Sequence, residues 1–170
     1  SYNFLKDADD RDGAEAEKYI SEPGSVIINT KRDGTGETAL HLVVARKDDT
    51  WLGYLLQKGA NPNLADRKGV SPLMLATQLG FTEGVLRLLK YKASVDATNR
   101  SGETALIRAV QLRQPELVRI LLKAGANPDK RDSVAGLSAR EYAAQDGRNS
   151  AILAIIERGG QADEPKKSGE

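Results

Sequence analysis

The chain has 170 residues, 39% of them hydrophobic, 29% charged and only 5% aromatic. This is the composition of one folded domain whose core is built from Leu, Ile, Val and Ala in thin helical layers. Lys and Arg total 25 against 24 Asp and Glu, a formal net charge of +1, which excludes whole-chain attraction to nucleic acid or an anionic membrane, and the absence of cysteine excludes disulfides, thiolate catalysis and cysteine-based zinc sites.

Residues 2–28 open with apolar Phe4 and Leu5, continue into a predicted helix over 14–20, and lead through Ser25 to Asn29 into a first loop. Asp7, Asp9, Asp10 and Asp12 have the density of a calcium loop but not its frame, because Arg11 and Asp12 stand where a ligand and the invariant glycine belong. They read as a solvated helix face.

A repeat then takes over. Gly36, Gly69, Gly102 and Gly136 are separated by 33, 33 and 34 residues, and each opens a similar polar-to-apolar switch, as in Gly36-Glu-Thr-Ala-Leu40 and Gly102-Glu-Thr-Ala-Leu106. A second landmark keeps the same period: Leu55-Leu56 before Gly59-Ala60-Asn61, Leu88-Leu89 before Lys92-Ala93, and Leu121-Leu122 before Gly125-Ala126-Asn127. Each copy predicts helix, turn, helix and loop.

In the unit over 29–65, Thr38 caps a helix from Ala39 to Ala45, Gly59 ends the second helix, and Asn61-Pro62 turns the chain into an extended loop. The unit over 66–98 is capped by Ser71, with Pro72 at the first helical position. Its second helix holds Gly84 where its siblings have Trp51 and Leu117, which predicts a cost of about 1 kcal/mol and an unfilled gap. Leu86-Arg87 also inverts the Arg119-Ile120 order of the next copy, predicting that one of the two is exposed. The unit over 99–131 repeats the pattern from Thr104 to Asn127-Pro128, and the unit over 132–160 starts at Ser138 with Arg140 in place of leucine and one extra residue before its glycine. Residues 161–170 are polar and read as a disordered tail.

The Gly-x-Thr-x-Leu-His run at Gly36 to His41 and the Leu-Leu-x-x-Gly-Ala-Asn runs closely resemble the ankyrin repeat, over roughly residues 29–160. Asp33 and Asp66 match the acidic residue that the family places three before the glycine. The resemblance implies an all-α solenoid of about five helix-turn-helix repeats with hairpin-like finger loops, the outer repeats acting as caps, within a single domain over 1–160. It also implies a protein-binding module without catalysis or cofactors. The degenerate repeats and compact size are similar to those of short stand-alone bacterial members, some of them exported to the periplasm, which favours the periplasm over the cytoplasm; a monomer is expected. The chain starts at Ser1 with no signal-peptide pattern, so a non-catalytic part of a larger protein is an alternative. No apolar run approaches the ~20 residues that cross a bilayer.

The polar residues assemble no catalytic, cofactor or metal site. His41 is the only histidine, and the resemblance gives it a structural role, hydrogen-bonding loops of neighbouring repeats. The Gly34-Thr-Gly36 stretch follows Lys31-Arg32-Asp33 and not a hydrophobic strand, so it reads as a finger turn and not a dinucleotide loop. Asn99-Arg-Ser101 matches a glycosylation sequon, a frequent three-residue pattern.

Two surfaces are candidates for partner binding. Basic residues recur where finger tips are predicted: Lys31 and Arg32, Arg67 and Lys68, Arg100, and Lys130 and Arg131. They form a ridge for an acidic ligand or, as an alternative that the balanced charge and scarce aromatics oppose, a nucleic acid. By the register of the resemblance, the concave side presents Ala45, Arg46, Gln78, Leu79, Gln111 and Leu112, with Val70 nearby. An exposed Leu79–Leu112 pair rimmed by Arg46 and Arg67 has the anatomy of a binding patch.

Overall fold

The computed structural model describes residues 2–10, 14, 17 and 27–160. Helix α1 covers Tyr2–Asp10, and four helix pairs follow: α2 (Ala39–Ala45) with α3 (Asp49–Gln57), α4 (Pro72–Gln78) with α5 (Thr82–Lys90), α6 (Ala105–Gln111) with α7 (Pro115–Lys123), and α8 (Ala139–Gln145) with α9 (Ser150–Glu157). No strand is present among the described residues beyond one isolated bridge between Arg131 and Ser138. The chain is an all-α solenoid. Of the helix expected over 14–20, Ala14 and Glu17 are helical and the rest lies outside the described residues, as does the expected tail over 161–170.

Capping explains why each first helix starts where it does. Ser71, Thr104 and Ser138 accept from the backbone amides of Met74, Ile107 and Glu141 through their hydroxyls, satisfying donors that a helix N-terminus otherwise leaves unpaired. The second helices are amphipathic. In α7 the buried residues are Leu117, Val118, Leu121 and Leu122, while Glu116 and Lys123 face outward.

The repeats bury their apolar faces against one another. Helix α1 packs on α2, and α2, α4, α6 and α8 stack in series. Behind them α3 packs on α5 and α7 on α9, but contact between α5 and α7 is sparse. Leu40, Leu73 and Leu106 are fully buried at equivalent positions. Arg140 replaces the fourth leucine and pairs with Asp129 at 2.8 Å and Glu157 at 2.7 Å, so the outer side of the last repeat is polar.

The fingers are joined edge to edge by backbone bonds. The amides of Arg67, Arg100 and Ser133 donate to the carbonyls of Thr35, Lys68 and Ser101, at 2.9, 3.1 and 2.9 Å. This ladder accounts for the first three glycines of the landmark, while Gly136, at the end of the stack, is left with a positive φ alone. A β-carbon on Gly36, Gly69 or Gly102 would stand 2.9 Å from the backbone nitrogen of Arg67, Arg100 or Ser133, and all three glycines have positive φ.

Gly84 does not leave the expected gap. Phe81, at the N-cap of α5, is 5% exposed and lays its ring over the glycine. The inverted pair does expose one member: Leu86 is 51% exposed, while Arg87 turns back to grip Asp49 on α3 with two bonds of 2.7 and 2.8 Å.

Candidate partner-binding surface

Three of the four fingers owe their shape to a carbonyl-bearing side chain at the base of the turn. Asp66 Oδ1 accepts from the amides of Lys68 and Val70, and Asn99 Oδ1 accepts from those of Ser101 and Glu103. In the last finger, one residue longer, Asp132 Oδ1 accepts from Ala135 and Leu137. Burial raises the Asp132 pKa, but a hydrogen bond from the Tyr142 hydroxyl and the surrounding amides outweighs it and holds the carboxyl below its usual range. The same bond pushes Tyr142 up to about 12. The first finger departs from this pattern: its bonds run from Arg32 N–H to Glu37 O and from Gly36 N–H to Arg32 O, and Asp33 is exposed. Asn99 also donates through Nδ2 to Glu103, so both ends of its amide are used inside the finger.

His41 is a buried link between repeats. Its Nδ1 accepts from the Thr38 amide at 3.1 Å, and its Nε2–H donates to the Val70 carbonyl at 2.8 Å. Burial lowers its pKa, with Val70 opposing, so the imidazole is held neutral and fully committed. Among the described residues, no three His, Asp or Glu side chains gather as a metal site would require.

The row expected on the concave side falls at the C-terminal ends of the first helices. Arg46, Leu79 and Leu112 are the C-cap residues of α2, α4 and α6, which places them in one line across the stack. Leu79 is 37% exposed and Leu112 40%, so neither is consumed by packing between repeats. Gln78 and Gln111 are half-buried beside them, and Val70 is half-buried at the finger base. Arg46 is not a free rim charge, since its guanidinium donates to the carbonyls of Ala8 and Asp9 and ties α1 to the stack.

Four of the seven predicted finger cations are occupied. Lys31 donates to Ala65 O at 2.6 Å and Lys130 to Asp96 O at 3.1 Å. Arg32 pairs with Asp9 at 3.0 Å and Arg131 with Glu141 at 2.6 Å. Arg67, Lys68 and Arg100 are exposed and make no ion pair among the described residues. The ridge is therefore a cluster on two neighbouring fingers and not an edge running the length of the stack.

Three residues that sequence reasoning missed belong to the same face. Leu75, Arg108 and Tyr142 are half-buried at matching positions of α4, α6 and α8. Arg108 donates to Gln111 at 2.7 Å and lies 3.8 Å from Glu103. The period of 33 would have found them once Leu42, their counterpart in α2, was placed on the inner side. Val134, 75% exposed at the tip of the last finger, was signalled by the extra residue before Gly136.

A family profile described as ankyrin repeats in three copies matches residues 14–99 and 40–132. The chain is 34% identical over 113 residues to the human transient receptor potential cation channel subfamily A member 1, covering 65% of this chain and 10% of that protein. It is 35% identical over 113 residues to a putative ankyrin repeat-containing protein of Treponema pallidum, covering 66% of this chain and 38% of the relative. It is 40% identical over 95 residues to human neurogenic locus notch homolog protein 4, covering 55% of this chain and 5% of the relative. The chain thus spans well under half the length of each.

Proposed function

The chain belongs to the ankyrin-repeat family, whose repeats generally mediate protein–protein interaction and are typically non-catalytic, and from that premise we propose that it binds a partner protein through its concave face and adjoining fingers. The observation that carries this reading is the exposure of Leu79 and Leu112 in register on neighbouring repeats. An apolar centre with polar Gln78, Gln111 and Arg108 around it is the usual make-up of a protein-binding patch. Because the row sits on helix ends joined by short turns, little conformational entropy is lost on binding.

The test is affinity capture with the wild-type chain beside a Leu79→Asp, Leu112→Asp variant of matched thermal stability. Loss of specific partners from the variant supports the concave face. Recovery of the same partners by both overturns it.

We also read the chain as a monomer and, by its likeness to short bacterial members of the family, as periplasmic. Sedimentation equilibrium at the mass of a dimer would overturn the first reading. No helix among the described residues is long and apolar enough to cross a membrane, and fractionation with a cytoplasmic marker would overturn the second.

A further inference from the structure

Resting on the concave-face reading, we infer that the partner presents an acidic, amphipathic segment, with its carboxylates on Arg67, Lys68 and Arg100 and its apolar side chains on Leu79 and Leu112. Of the acidic groups near the finger bases, Glu103 bonds to Asn99 and lies near Arg108, Glu37 pairs with Arg32, Asp66 caps its own turn with its charge retained, and Asp33 is exposed on the first finger. The three cations beyond them have no such partner among the described residues, and they are exposed.

Backbone bonds hold these three together. Lys68 O accepts from Arg100 N–H at 3.1 Å, and Arg67 N–H donates to Thr35 O at 2.9 Å, so the tips cannot splay apart to relieve the repulsion of like charges. Three cations fixed on two fingers, offset only in part by Asp66 at their base, are the half of an electrostatic pair that an acidic partner completes.

The leucines set the second requirement. Leu79 and Leu112 belong to the same two repeats as the cations, at the far ends of first helices of seven residues, about 10 Å along each axis. A ligand that touches both margins must therefore be charged on one side and apolar on the other. Nucleic acid supplies the charge without the apolar side chains.

The test selects from a displayed random twelve-residue peptide library on the full chain and measures the enriched peptides by fluorescence anisotropy. The proteins compared are the wild type, an Arg67→Ala, Lys68→Ala, Arg100→Ala variant, and a control at the ends of the second helices, Lys58→Ala, Lys90→Ala, Lys123→Ala. Enriched peptides are expected to be net negative with large apolar residues. They should bind the finger variant about tenfold more weakly, bind the control unchanged, and weaken as salt rises. Neutral or basic enriched peptides, no enrichment, or equal affinity for both triple variants overturns the proposal. So does a thymidine 20-mer that binds the wild type more tightly than any selected peptide. If Leu79→Asp abolishes peptide binding while the finger variant does not, the acidic partner falls and the concave face stands. If neither substitution matters, both fall.

Discussion

The Phe81 ring stands where a β-carbon on Gly84 would be: that carbon would lie 2.4 Å from Phe81 Cδ1. Alanine in place of a helical glycine ordinarily adds about 1 kcal/mol of stability. Here overpacking reverses the sign. Gly84→Ala is expected to destabilise the chain by about 1–2 kcal/mol, and Phe81→Leu combined with Gly84→Ala to recover part of the loss. Urea denaturation of the two variants checks this, and a Gly84→Ala chain more stable than wild type refutes it.

Helix α5 should open before its neighbours. It has sparse contact with α7, and Leu86 leaves its apolar surface half in water. Amides over Val85–Leu89 are expected to exchange faster than those of the matching turns in α3 and α7. Equal protection in the three helices, measured by hydrogen exchange, would contradict it.

Stability should depend on pH through His41. Its folded pKa lies below the ordinary 6.5 because of burial, so the unfolded chain binds a proton first. The contribution is complete above pH 6.5, declines as pH falls from there through the folded value, and then levels off. Chemical denaturation between pH 8 and 5 should show this slope in the wild type and not in His41→Gln. His41→Ala should cost about 2 kcal/mol at pH 8, since it leaves the Val70 carbonyl without its donor.

The Arg87–Asp49 pair should matter little at neutral pH. Both side chains are more than one-third exposed, and a double-mutant cycle with alanine is expected to give a coupling under about 1 kcal/mol. The Arg87 hydrogen bond lowers the Asp49 pKa from 3.8. Its contribution is therefore present above that value and lost as pH falls through the folded one, which places the effect on the acid limb of the stability curve. A larger coupling at pH 7 would show the pair to be more shielded from water than its exposure implies.

The repeat was legible because its landmarks answer local demands. A glycine is needed wherever the next finger's amide comes within 2.9 Å, and a hydroxyl wherever a first helix begins. The candidate face was legible only in part. Leu79 and Leu112 could be placed in register from the period, but their exposure depends on how far neighbouring repeats overlap. Which cations stay free was not readable, because Arg46 is claimed by α1, Arg32 by Asp9 and Lys130 by a carbonyl 34 residues earlier. Such pairings form between segments distant along the chain. Phe81 was missed for a related reason: its ring fills space belonging to a residue three positions away, at a site where Asp48 and Gln114 occupy the sibling helices.

The finger ladder uses only main-chain atoms: Thr35 O with Arg67 N, Lys68 O with Arg100 N, and Ser101 O with Ser133 N. The side chains at 67, 68 and 100 are therefore spared any part in joining one finger to the next. On the proposal of an acidic partner, recognition and architecture would be written in separate atoms of the same residues. A change of partner can accumulate at those three tips, by drift or by design, while the stacking of the repeats goes on unaltered beneath them.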